Sequence, residues 1–137
     1  GAVADFAETA LQAAFQPTAE GSVGSLRGRF GKFGPKFEAR LAEIATGFCV
    51  GERLTFADIV LVEALSGYLE WVPDLLVDTP LLAALHEHVL DLPGMAAYLN
   101  SAQRYPMAGD TYVIDVARVL QRVLPPHFPD QNKFVPG

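Results

Sequence analysis

Apolar positions recur along this chain at helical spacing, in short runs closed by proline, glycine or a capping residue. Val3, Phe6, Ala7, Ala10, Leu11, Ala14 and Phe15 predict a helix over 3–15, ended by Pro17. Residues 16–34 interrupt the pattern. Gly21, Gly24, Gly28, Gly31 and Gly34 recur every three or four residues, and each glycine inside a helix costs about 1 kcal/mol relative to alanine. A partly helical connector is expected there. Pro35, at the N1 position, opens the next helix, with Phe37, Leu41, Ile44 and Ala45 as its stripe and Gly47 as its C′ residue. A fourth segment, Phe56 to about Glu70, is apolar on almost every side at entry, as befits a central buried helix. Thr79-Pro80 caps a helix carrying Leu82, Leu85, Val89 and Leu92. Pro93 starts a short one with Met95, Ala96, Tyr98 and Leu99. Asp110 or Thr111 caps a last one with Val113, Val116, Ala117, Leu120 and Leu124. No strand-like alternation, internal repeat or heptad series occurs, so the fold class is all-α.

The most strongly specified stretch is Phe48 to Leu61. Thr55 stands as N-cap and Asp58 three residues on, a capping box with Asp in place of Glu or Gln. Leu54 and Ile59 occupy the two positions of a hydrophobic staple. Trp71 and Val72 are expected to cover the core edge at the exit of this helix.

Composition narrows the possibilities. The 137 residues carry a net charge of −6 with half of them apolar, enough for one packed domain and unlike a general nucleic-acid or anionic-membrane binder. A single cysteine excludes an internal disulfide and fits a reducing, cytoplasmic setting. No apolar run approaches a membrane span, and no signal-peptide pattern is present. The chain opens on Gly1 rather than Met and reads as a piece of a longer protein. Five bases lie between Arg27 and Arg40 against one acid, Glu38. This segment reads either as a solvated basic face or as an anion or RNA patch with Phe30 and Phe33 for stacking. His86 and His88 are two apart and point to different helix faces, so they read as surface or rim residues and no metal site is expected. Cys49, among apolar neighbours, reads as a buried structural thiol. Spacing alone yields no catalytic constellation.

Phe48-Cys49-Val50-Gly51 through Thr55, Ala57 and Asp58 resembles the segment that opens the central helix of the glutathione transferase C-terminal domain. Asp78-Thr79-Pro80-Leu81-Leu82, Leu92-Pro93 through Leu99, and Ser101 extend the resemblance over most of residues 3–106. The resemblance implies a helical bundle around a buried central helix over 1–106; the tail departs from the family pattern, and 107–137 read from their own residues as a C-terminal helix and proline-rich arm packed on the same domain. It implies a half-protein that forms one wall of the electrophile pocket, while a thioredoxin-like domain binds glutathione and activates its thiol. No catalytic residue is then expected here, and the chain alone is expected to be inactive. Glutathione is the co-substrate of the full-length protein, and small hydrophobic electrophiles and a second copy are its implied partners.

Ala2 to Phe6 is similar to a segment of the Pi, Mu and Sigma-like classes, where the acid reaches across the dimer to glutathione; Asp5 takes that place, or is an exposed first-turn acid. Phe15 falls at a pocket aromatic, or packs in the core. Tyr105 and residues 107–112 are further candidates for the pocket. Thr55 and Asp58 are structural in this reading. The competing reading is a non-catalytic module of the same fold, as in the gamma subunit of the eukaryotic elongation-factor exchange complex and some aminoacyl-tRNA synthetases. A ligand-carrying helical domain unrelated to glutathione is what the residues alone also allow.

Overall fold

The computed structural model describes residues 2–9, 13, 15–16, 18–102 and 110–121. The described residues form six helices and no strand: α1 (Ala2–Thr9), α2 (Ala19–Ile44), α3 (Phe56–Trp71), α4 (Pro80–Leu90), α5 (Pro93–Leu99) and α6 (Asp110–Val119). The first four close a ring. α1 packs on α2 and α3, and α4 packs on the same two from the other side, with α5 against α4.

At the centre of the ring is an aromatic cluster. Phe6 of α1 is fully buried and stacks on Tyr68 of α3 at 4.5 Å between ring centroids. Phe33 and Phe37 of α2 each approach Phe6 to 5.7 Å, and Phe30 to 6.4 Å. Such tilted and edge-on pairs add about 0.5–1.5 kcal/mol each beyond area burial. Leu26, Leu61, Leu65, Val72, Leu82, Leu85 and Val89 continue the core toward α4.

The glycine-rich stretch is not a connector. α2 runs unbroken from Ala19 to Ile44 with Pro35 inside it rather than at its start. Thr18 caps it, accepting the Gly21 N–H at 3.0 Å. Leu26, Phe30, Phe33, Phe37 and Leu41 form one stripe at spacings of three and four, and burying that stripe outweighs the glycine cost. Pro35 lies on the exposed side, where water can satisfy the carbonyl its missing N–H would have met.

Gly34 has a packing reason. A Cβ there would lie 2.6 Å from Cζ of Phe30, a ring already held in the cluster. Gly34→Ala is therefore expected to lose about 1–3 kcal/mol. Gly24→Ala, Gly28→Ala and Gly31→Ala, which point into open space, are expected to gain up to about 1 kcal/mol each. Thermal denaturation of the four variants checks the contrast.

Other bounds also differ from the pattern. α1 is described only to Thr9, so Phe15 is not on it. It sits within a turn closed by Gln16 N–H to the Ala13 carbonyl at 3.3 Å. The left-handed residue at the end of α2 is Ala45, at φ 58°, with Gly47 also left-handed at φ 87°. Ala45 N–H bonds Leu41 at 2.9 Å. α3 is buried along one face rather than all round: Leu61, Val62, Leu65 and Tyr68 face the core, while Phe56 is 79 % exposed. Val72 is fully buried and Trp71 packs on the core, as expected at the exit. On α6, Val113 is buried but Val119 faces solvent, as does Leu120 just past the helix end; Leu124 and the proline-rich arm lie outside the described residues.

Candidate functional site

The Thr55–Asp58 capping box forms at the start of α3, but Asp58 does more than cap. One carboxylate oxygen accepts the Thr55 N–H at 2.8 Å and lies 3.3 Å from the Thr55 hydroxyl. The other accepts the Cys49 N–H at 2.7 Å. The side chain is fully buried, so it ties the 46–54 loop to the helix where water cannot substitute. Thr46 Oγ1 closes the same loop from within by donating to the Gly51 carbonyl.

This environment decides the fate of the thiol. Burial, then the hydrogen bond and negative charge of Asp58, push Cys49 up from 9.0 to about 12. Cys49 is a structural thiol, half-buried. At pH 8 the folded chain is expected to react with an aromatic disulfide reagent about a thousandfold more slowly than the unfolded chain. The Tyr68 phenol is likewise raised to about 12, by burial partly offset by Arg29. Above pH ~9 the unfolded chain releases these protons first, so stability falls as pH rises through 9–12. His86 is lowered from 6.5 by burial, with Glu87 opposing. The unfolded chain therefore binds a proton there first as pH falls through 6.5, and stability is lost on that side too.

The two residues assigned to ligand contact stand on separate elements. Asp5 is exposed on α1, next to the anchored Phe6. Phe15 lies between α1 and α2 and is 45 % exposed, so it is not the core residue of the alternative reading. Its neighbour Ala13 is buried, and the Ala13 carbonyl accepts the Ser22 hydroxyl at 2.7 Å, which fixes this turn on α2. Tyr105 lies outside the described residues. The aromatic part of the RNA-patch reading fails. Phe30 is buried and Phe33 is spent in the Phe6 cluster, while Arg27 pairs with Asp74 at 2.8 Å and holds that carboxyl below its usual range.

Three connections had no local sequence signal. Glu38 of α2 accepts the Leu81 and Leu82 amides at 2.8 and 2.9 Å. It caps α4 from another helix, while the Thr79 side chain, the expected cap, makes no cap bond. His86 is half-buried at the rim, where it meets Ser66 of α3 at 3.0 Å. Tyr98 of α5 donates to Glu63 of α3 at 3.2 Å. Each pairs positions more than eighteen residues apart, where helical periodicity carries no information. Among the described residues no three His, Cys, Asp or Glu side chains converge as a metal site, and no helix is long and apolar enough to cross a membrane.

The all-α ring around the capped helix α3 is matched by a known protein family. Residues 4–102 match the family described as glutathione S-transferase, C-terminal domain. The chain belongs to that family. It is 35 % identical over 91 residues to "Glutathione S-transferase 3" of Gallus gallus, covering 66 % of this chain and 40 % of that protein. "Glutathione S-transferase" of Antechinus stuartii is 33 % identical over 90 residues, 65 % of this chain and 41 % of the relative. "Glutathione S-transferase alpha-3" of Rattus norvegicus is 31 % identical over 121 residues, 85 % of this chain and 55 % of the relative. The chain thus spans about half or less of the length of these relatives. Several relatives carry alpha in their names, so the Pi, Mu and Sigma-like leaning of the Ala2–Phe6 segment finds no support among them.

Proposed function

We propose that this chain is the electrophile-site half of a glutathione transferase of alpha-like class. The observation that carries the reading is the family match across 4–102 in a chain that spans only 40 % of a glutathione S-transferase. The alpha-3 match adds to it, since 85 % of the chain is more than residues 1–106 can hold, so the alignment reaches into the tail that contains α6. In this reading glutathione is held chiefly by a partner domain, and its thiolate attacks an electrophile lying on this domain. The bond to sulfur forms as the leaving group departs, and the thiol proton goes to solvent. Asp5 offers a carboxylate to the ammonium of glutathione bound by a second copy. Phe15 offers an exposed apolar ring to the electrophile, and Tyr105 and residues 107–112 are the further candidates for the pocket. Tyr68 is buried in the core with its hydroxyl donated to the Phe6 carbonyl at 3.4 Å, so it is not placed to donate to a glutathione thiolate, which supports an inactive isolated chain.

The test is retention on immobilised glutathione and conjugation of a chloronitrobenzene, using the chain joined to its native upstream residues. The longer protein is expected to bind and turn over while residues 1–137 alone do neither. Asp5→Ala is expected to raise KM for glutathione, and Phe15→Ala KM for the electrophile. A longer protein that folds but neither binds nor conjugates overturns the reading in favour of an assembly module.

A further inference from the structure

Ser22 places a hydroxyl in the interior. The residue is fully buried, and Oγ donates to the Ala13 carbonyl at 2.7 Å, nine positions back along the chain. A serine inside a helix commonly turns its proton onto the carbonyl of the preceding turn. Here the hydroxyl leaves its own helix. The Thr18 carbonyl takes the Ser22 N–H at 3.0 Å, while Oγ reaches into the segment between α1 and α2.

The oxygen it reaches is shared. The Ala13 carbonyl also accepts the Gln16 N–H at 3.3 Å, the bond that closes the turn in which Phe15 stands. The far end of that turn lies against α2 as well: a Cβ on Gly21 would come within 3.4 Å of the Gln16 Cβ. Consecutive residues of α2 therefore meet both ends of the turn, Ser22 at Ala13 and Gly21 at Gln16. Ala13 is fully buried, while Phe15, two positions on, is 45 % exposed. The ring is offered to solvent from a backbone that is pinned beneath it. A side chain that meets a ligand is only as well placed as the residues that hold its backbone.

We propose that Ser22 is the positioning residue of the electrophile site, its hydroxyl fixing where the Phe15 ring stands. The inference rests on the reading of Phe15 as the aromatic that meets the electrophile, and it adds a residue that touches neither substrate. Without the hydroxyl, the Ala13 carbonyl loses its bond to α2 in a place where Ser22 admits no water. The turn then shifts or loosens, and the ring no longer meets a flat aromatic substrate in one orientation. Glutathione, held elsewhere, is not affected.

The experiment is steady-state conjugation of a chloronitrobenzene by the chain joined to its native upstream residues, with Ser22→Ala, Phe15→Ala and the double variant. Ser22→Ala is expected to raise KM for the electrophile about three- to tenfold and to leave KM for glutathione unchanged. In the Phe15→Ala background the same substitution is expected to have no further effect, the non-additivity of two residues that act as one. A purely structural serine would lower the melting temperature without this split. Gly21→Ala keeps the hydroxyl and presses on the Gln16 end of the turn; it is expected to raise the electrophile KM in the same sense, and it decides the matter if Ser22→Ala does not fold. The proposal is overturned by an electrophile KM that stays at the parent value, by a glutathione KM that rises as much, or by an effect of Ser22→Ala that persists without Phe15. A parent that conjugates nothing overturns the transferase reading and this proposal with it, whereas an active parent with an unmoved Ser22→Ala overturns this proposal alone.

Discussion

Replacing Phe6 with alanine is expected to cost about 4 kcal/mol, the range for emptying a buried aromatic site, and to leave the chain largely unfolded at 37 °C. Phe6 is the only contribution of α1 to the aromatic cluster among the described residues, and it touches two other helices at once. Its ring stacks on Tyr68 at 4.5 Å and meets Phe33 and Phe37 at 5.7 Å. These partners sit on helices that are themselves braced by α4, so the site cannot collapse to fill the void. Phe6→Leu, which keeps most of the volume, is expected to recover more than half of the loss. Urea denaturation of both variants, at matched m-values, measures it. A loss below about 1 kcal/mol for Phe6→Ala would show that the cluster repacks.

The second large effect is expected at Asp58. Asp58→Ala removes the acceptor for both the Thr55 and the Cys49 amides and leaves two donors in a place where the parent carboxylate was fully buried. Hydrogen bonds to a charged group are worth about 1.5–3 kcal/mol each, and the two share one carboxylate, so a loss of about 3 kcal/mol is expected. That corresponds to ~10–15 °C in melting temperature for a domain of this size. Asp58→Asn keeps one acceptor oxygen and is expected to lose about half as much. The Cys49 thiol reports the same event independently. With the loop untied and the negative charge gone, Asp58→Ala is expected to react with thiol reagents faster than the parent. A melting curve that does not move would remove Asp58 from its structural role.

The elements legible in the sequence were those whose cause is local. The α3 start is written in Thr55 and Asp58, three residues apart, and the α4 and α5 starts in Pro80 and Pro93. The α2 error came from weighing each glycine separately. The stripe Leu26–Phe30–Phe33–Phe37–Leu41 was present at helical spacing, and tertiary burial overrode both the glycines and Pro35. Phe15 and Asp5 were legible as candidates only through family resemblance, because an exposed aromatic and an exposed acid have no spacing signature of their own. The Ser66–His86 pair was illegible for a different reason. A serine mid-helix and a histidine on the next helix acquire a relation only when α3 and α4 dock, and nothing in either segment announces the other.

Glu38 finishes α4 from 43 positions away, and this makes the end of that helix conditional. The first turn of α4 has no side-chain cap of its own, so its opening amides have a partner only after α2 has reached its place. The hydrogen-exchange pattern should carry that dependence: Leu81 and Leu82 are expected to open together with the middle of α2 rather than with the rest of α4. The boundary between cooperative folding units then falls inside a continuous helix, and a segment cut to contain α4 through α5 alone would inherit a frayed beginning.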